Sequence, residues 1–177
     1  MEQITLKDKK FDLFIPQAEI DNTILRIANE MNKDLKDKNP LFISILNGSF
    51  MFTADLLKKI NFDCEISFIK LASYSGTASG GRIKKIIGLT QDIQNRTVVI
   101  LEDIIDTGLT IGNTISQLIE HKPKEIKVST LLFKKEACKR KFKIDYIGFE
   151  IPDDFVVGYG MDIDGLGRNL VNIYKLT

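Results

Sequence analysis

The stretch Val98-Val99-Ile100-Leu101-Glu102-Asp103-Ile104-Ile105-Asp106-Thr107-Gly108-Leu109-Thr110 sets three carboxylates, a glycine and two threonines behind an apolar run. The apolar run reads as a buried strand, and a helix follows near Thr110. A helix N-terminus offers free backbone N–H groups and a positive dipole end, both suited to phosphate. Gly108 lets the backbone approach an anion closely, and the Thr107 and Thr110 hydroxyls add donors. The neighbouring carboxylates would repel a bare phosphate. The conflict resolves for a ligand that carries hydroxyls as well as phosphate, or that brings Mg²⁺, since carboxylates accept from sugar hydroxyls and bind hydrated Mg²⁺. The implied ligand is a sugar phosphate. Acids capping a helix start would account for one or two of the three, but not for Glu102 and Asp103 joined directly to a buried strand.

Other phosphate and metal signatures fail. There is no G-x-x-x-x-G-K-[ST]. Gly158-Tyr159-Gly160 begins a G-x-G, but Ile163 stands at the third position of the dinucleotide fingerprint. Asp162-Ile163-Asp164-Gly165 lacks the spacing and terminal Glu of a calcium loop. His121, the single histidine, falls at the end of a helix, where a cap or a charge on the helix C-terminus is expected.

The elements that must hold these residues alternate between strand and helix. Residues 16–36 place Ile20, Ile24, Ile27, Ala28, Met31 and Leu35 three and four apart, a helical stripe. Leu41 to Leu46 reads as a buried strand ending in a turn at Asn47-Gly48, and residues 50–59 as a helix. Ile66–Leu71 is a strand leading into the polar, glycine-rich stretch Ser73–Gly81, with a returning strand over Lys84–Leu89. Thr110–His121 reads as a helix and Ile126, Val128, Thr130 and Leu132 as an alternating strand. Short strands are expected over Ile144–Phe149, Phe155–Tyr159 and Val171–Tyr174. This order argues for an α/β fold with a largely parallel sheet, whose ligands bind beyond the carboxyl ends of the strands.

Composition limits the function. The 177 residues suit one domain at about 150 per domain. Lys plus Arg is 25 and Asp plus Glu is 24, a net charge of +1. Such a chain carries no general field for nucleic acid or an anionic membrane, so an anion must be held locally. Cys64 and Cys138 are too few for a disulfide scaffold or a four-ligand zinc site and suggest reduced thiols. The first residues have no apolar signal core, and no apolar run approaches the roughly 18 residues that span a bilayer. A cytoplasmic, unanchored protein is expected.

Leu101 to Thr110 resembles the phosphoribosyl pyrophosphate (PRPP) motif of type I phosphoribosyltransferases. Tyr146-Ile147-Gly148-Phe149-Glu150-Ile151-Pro152-Asp153-Asp154-Phe155-Val156-Val157-Gly158-Tyr159-Gly160-Met161-Asp162 resembles the purine-binding region of the hypoxanthine-guanine members. Leu46-Asn47-Gly48-Ser49-Phe50 and Ser73-Tyr74 resemble that family's pyrophosphate turn and lid. The resemblance implies the type I phosphoribosyltransferase fold, a mainly parallel central sheet flanked by helices. It also implies one domain over 1–177, with a small hood subdomain built from the N-terminal segment and roughly 150–177. It implies transfer of ribose phosphate from PRPP to a 6-oxopurine base, giving IMP or GMP and pyrophosphate, with Mg²⁺ as cofactor and a homodimer or homotetramer as assembly. No nucleic acid and no membrane partner is implied.

Residue by residue, the resemblance gives Glu102 and Asp103 the ribose hydroxyls and Mg²⁺, and Asp106 the role of general base near purine N7. Asp106, Thr107, Gly108, Leu109 and Thr110 form the 5′-phosphate loop. Leu46, Asn47, Gly48 and Arg168 bind pyrophosphate. Lys134 donates to the oxygen at purine C6, Phe155 stacks on the ring, and Val156 and Asp162 meet the base edge, with Asp162 at a second Mg²⁺. Ser73 and Tyr74 anchor the lid. Leu109 and Asn47 depart from relatives that have Lys there, and each loses a nearby positive charge. The family turn often holds a cis peptide, which at Leu46–Asn47 is open. Plainer roles exist: Lys134 in the solvated basic set that ends at Lys143, Phe155 in the core, Arg168 in a salt bridge, and Ser73–Gly81 as an ordinary hairpin loop. Two other functions remain. The base could be xanthine or a pyrimidine, or the chain could be a nucleotide-sensing regulator that binds RNA through the basic set.

Overall fold

The structure, a computed structural model, describes residues 2–74 and 83–177, with the backbone alone at 72–74 and 83–87. Helix α1 (Gln17–Leu35) forms where the apolar stripe predicts it, and Ile20, Ile24, Ile27, Ala28, Met31 and Leu35 are all fully buried. The stripe lies against one face of a six-stranded sheet, beside α2 (Phe50–Leu57). Helix α3 (Leu109–Ile119) covers the other face with Ile111 and Leu118.

The sheet consists of β3 (Leu41–Ile45), β4 (Glu65–Tyr74), β5 (Ile83–Ile87), β6 (Thr97–Ile105), β7 (Glu125–Phe133) and β8 (Tyr146–Glu150). Their order is β5-β4-β3-β6-β7-β8, with β5 antiparallel to β4 and the other five parallel. In β6, Val99 and Leu101 join the cluster under α1 and α2, whereas Val98 and Ile100 join the cluster under α3. Cover on both faces explains why β3 and β6 are continuous apolar runs. The alternation expected in β7 is not what burial shows: Val128 to Leu132 are buried without a break, because β7 lies inside the sheet between β6 and β8.

A second sheet, β1 (Gln3–Leu6), β2 (Lys9–Ile15), β10 (Ile173–Leu176) and β9 (Val156–Val157), is antiparallel and joins the two ends of the chain. No strand is expected from the sequence at β1 or β2: β1 is only four residues long, and in β2 Lys9, Lys10 and Asp12 mask the pattern of Phe11 and Ile15, both buried. β9 is shorter than the expected Phe155–Tyr159 strand. Gly158, Tyr159 and Gly160 all have positive φ, at 99°, 48° and 100°, which ends extended pairing. No described helix is long and apolar enough to cross a membrane.

Candidate active site

The expected site residues gather where β6 and β7 end and the segment around β9 crosses above them. β6 runs through Glu102 and Asp103 to Ile105, so both carboxylates belong to the strand itself. Each is 8% exposed. Burial, the adjacent Asp103 charge and a shared hydrogen bond push the Glu102 pKa well above its ordinary value. Burial also raises Asp103, to about 6, against the pull of the Ile104 and Asp103 amides and the Arg168 charge. Two carboxylates held this way favour a cation or a hydroxyl-bearing ligand beside them.

Past the strand, Glu102, Asp106, Thr107, Gly108, Leu109 and Thr110 line a cavity of 240 Å³ at the start of α3. Gly108 is the N-cap, at φ 78°. A Cβ there would come within 2.9 Å of Cys138 Sγ and 3.1 Å of Phe142. Glycine therefore serves both the left-handed backbone and the contact with the segment after β7. Gly108 brings no capping side chain, and the Leu109 N–H makes only a long bond to Thr107 Oγ1, at 3.4 Å, so the helix start can still donate to a ligand. Leu109 is 49% exposed and brings no charge to this loop.

The turn after β3 contains a cis Leu46–Asn47 peptide. Behind it, Ser44 Oγ shares hydrogen bonds with Ser49 Oγ at 2.7 Å and Thr53 Oγ1 at 2.8 Å, and Ser49 Oγ donates to Ile45 O at 2.5 Å. This buried hydroxyl cluster fixes the turn to the first residues of α2. Gly48 faces Asp103: a Cβ on Gly48 would fall 1.7 Å from Asp103 Oδ2. The candidate pyrophosphate turn and the candidate ribose carboxylate are thus packed against each other.

Asp103, Asp106, Lys134, Phe155, Val156 and Asp162 line a second cavity, of 210 Å³, together with Ile104 and Met161. Lys134 is 6% exposed, which removes it from the solvated basic set. Its Nζ donates to Asp153 Oδ1 at 2.9 Å and to Asp106 Oδ2 at 3.3 Å. Burial works against its charge, but the two carboxylates outweigh that and raise its pKa. Phe155 is 47% exposed and so is not a core residue; its ring lies 6.3 Å from that of Phe11 in the second sheet, and it lines the cavity. Ile104, Met161 and Asp153 were not singled out from the sequence. Asp153 alone had a visible signal, an acid next to Asp154 after Pro152.

Arg168 and Asp162 meet each other. Arg168 Nη2 lies 2.6 Å from Asp162 Oδ1, and its Nη1 donates to Gly160 O at 2.7 Å. The salt bridge weighed for Arg168 is present, at the rim of the same site. Ser73 and Tyr74 end β4 by their backbone; the rest of the expected lid, 75–81, lies outside the described residues.

Among the described residues no three His, Cys, Asp or Glu side chains come together as a metal cage, so Glu102, Asp103 and Asp162 do not form one. Mg²⁺ retains waters and commonly binds through one or two carboxylates plus substrate phosphates. Glu102 Oε2, buried with no hydrogen-bond partner, and Asp103 beside it fit that mode.

A parallel sheet ending in paired acids and a helix-start phosphate loop defines the phosphoribosyl transferase class, and the model of the phosphoribosyl transferase domain matches residues 16–164. The hypoxanthine-guanine phosphoribosyltransferase of Aquifex aeolicus is 36% identical over 173 residues, 97% of each chain. The solved hypoxanthine phosphoribosyltransferase of Staphylococcus aureus superposes with a TM-score of 0.86 at 35% identity, over 94% of this chain and 91% of that one. A solved hypoxanthine-guanine-xanthine phosphoribosyltransferase superposes at 0.79, 33% identical over 93% of each chain. The chain belongs to the phosphoribosyltransferase family, among its hypoxanthine-guanine members.

Proposed function

We propose that the protein is a purine-salvage enzyme that joins hypoxanthine or guanine to PRPP, giving IMP or GMP and pyrophosphate. The observation that carries this reading is the single 210 Å³ cavity lined by Asp103, Asp106, Lys134, Phe155, Val156 and Asp162, next to the phosphate loop. The 5′-phosphate binds the free N–H groups at the start of α3. Glu102 and Asp103 accept from the ribose 2′ and 3′ hydroxyls. The purine stacks on Phe155 and receives a hydrogen bond from Lys134 at its C6 oxygen. A cationic donor there favours 6-oxopurines over adenine, whose 6-amino group does not accept in the same way.

In the reaction the purine nitrogen forms a bond to the ribose C1′ as the C1′–pyrophosphate bond breaks. Asp106 takes the purine proton at N7. The Leu46–Gly48 turn and Arg168 receive the leaving pyrophosphate through backbone N–H groups and guanidinium. Asp162 meets the base edge and would hold a second Mg²⁺, apart from the one that Glu102 and Asp103 would hold. When bound, Mg²⁺ supplies positive charge against the pyrophosphate. The lid anchored at Ser73 and Tyr74 excludes water that would otherwise hydrolyse PRPP.

The reading extends to one domain with a hood formed by the second sheet, a homodimer or homotetramer, and a cytoplasmic location suited to the free thiols of Cys64 and Cys138. Xanthine is a second candidate base, because a relative that names it is 33% identical over most of the chain. Pyrophosphate release with PRPP and Mg²⁺, measured against hypoxanthine, guanine, xanthine, adenine and uracil, tests the reading. Turnover with 6-oxopurines alone is expected. No turnover with any base, despite binding of IMP, would overturn it.

A further inference from the structure

Tyr159 is 2% exposed, and its hydroxyl donates to Asp55 Oδ2 at 2.5 Å. Asp55 lies on α2, the helix that starts just after the pyrophosphate turn, and also pairs with Lys58 Nζ at 2.6 Å. Burial opposes the Asp55 charge, but the bonds to Lys58 and Tyr159 outweigh it, so the acceptor stays ionised. Tyr159 lies between β9, which carries Val156, and Asp162. One residue further on, a Cβ at Gly160 would fall 2.0 Å from Gly48 O. The turn is therefore clasped between Asp103 on one side and the Gly160 backbone on the other.

Other bonds hold each partner internally. The Ser44, Ser49 and Thr53 hydroxyls fix the turn to α2, and Arg168 braces Gly160 to Asp162. Neither set reaches from α2 to the Gly158–Gly160 loop; the Tyr159–Asp55 bond does. We propose that Tyr159 and Asp55 are a positioning pair whose hydrogen bond sets how deeply the pyrophosphate turn sits against the Val156–Asp162 segment, keeping the two ends of the site in register. The ligand identities, PRPP and base, rest on the function proposed above; the pair itself rests on the contacts.

The test uses Tyr159→Phe, Asp55→Ala, Asp55→Asn and the double variant Tyr159→Phe/Asp55→Ala. A misplacement of about 1 Å costs up to about 10²-fold in rate, so kcat/KM for PRPP is expected to fall about 10- to 100-fold in Tyr159→Phe. KM for the base should stay close to that of the wild type. Asp55→Ala should lose a similar amount, whereas Asp55→Asn, which keeps an accepting oxygen, should lose much less. The double variant should be no worse than either single one, as for two residues acting through one bond. Amide hydrogen exchange over 46–50 should quicken in Tyr159→Phe relative to the rest of the chain. Equal loss in every kinetic constant with unchanged exchange at 46–50, or additive losses in the double variant, would overturn the pair. A wild type that turns over no base would contradict the proposed function instead, and the exchange measurement would still judge the pair.

Discussion

Lys134 Nζ stands 3.3 Å from Asp106 Oδ2, so the cation that would hold the purine and the carboxylate that would take its proton are hydrogen-bonded to each other. Asp153 shares the same ammonium at 2.9 Å. The cation is thereby kept charged although it is buried. To reach a purine oxygen, as proposed, it would exchange the longer of its two bonds while Asp153 retained it. That exchange would free Asp106 for the proposed role of base.

Replacing Lys134 by Met should therefore affect both recognition and proton transfer. A hydrogen bond to a charged group contributes about 1.5–3 kcal/mol, so kcat/KM for hypoxanthine should fall about 10- to 100-fold. Discrimination against adenine should narrow, because the lost donor is the one proposed to read the C6 oxygen. Steady-state kinetics with both bases checks this; unchanged discrimination would count against the assignment.

Gly48→Ala should disturb the turn and the acid together. The added methyl would fall 1.7 Å from Asp103 Oδ2, so one of the two must move. Overpacking of this kind costs about 1–3 kcal/mol, and each kcal/mol lowers Tm by about 2–4 °C in a chain of this size. Inhibition by pyrophosphate should weaken as well. A Tm and a pyrophosphate affinity both equal to those of the wild type would contradict the packing described.

Asp145 gives a pH signature away from the active site. Its burial opposes charge, but the Lys143 ammonium at 2.6 Å, the Val128 amide and Lys127 outweigh it and hold its pKa below the ordinary carboxylate range. A depressed folded pKa means stability that is fully present above the unfolded value of about 3.9 and is lost as pH falls through the folded value. Thermal unfolding of the wild type and Asp145→Asn should differ most near neutrality and converge below that range. A gap that stays constant down to strongly acidic pH would contradict the assignment.

Much of this was legible in the sequence because its signals are local. The α1 stripe predicts its own buried face, and the run from Val98 to Thr110 predicts strand, acids, loop and helix in order. The family resemblance, rather than any local pattern, implies Asp106, Lys134, Phe155, Val156 and Asp162 at a purine site, and one cavity collects them. Less legible were features that depend on distant partners. β2 pairs with the far end of the chain through β10, its exposed start carries Lys9 and Lys10, and β1 has only β2 to pair with. Nothing local marks Asp55 as the acceptor for Tyr159, 104 positions away. The contact between Gly48, Asp103 and Gly160 depends on three segments meeting, and composition cannot report that.

The most direct test of the central claim is to compare Asp106→Asn with the wild type for pyrophosphate release from PRPP and hypoxanthine. A positioned base contributes about 10²–10⁴-fold, so kcat should fall by that amount while PRPP still binds. Asp106→Asn turning over at the wild-type rate would contradict the account, because the carboxylate at the centre of the site would then not be the group that takes the purine proton.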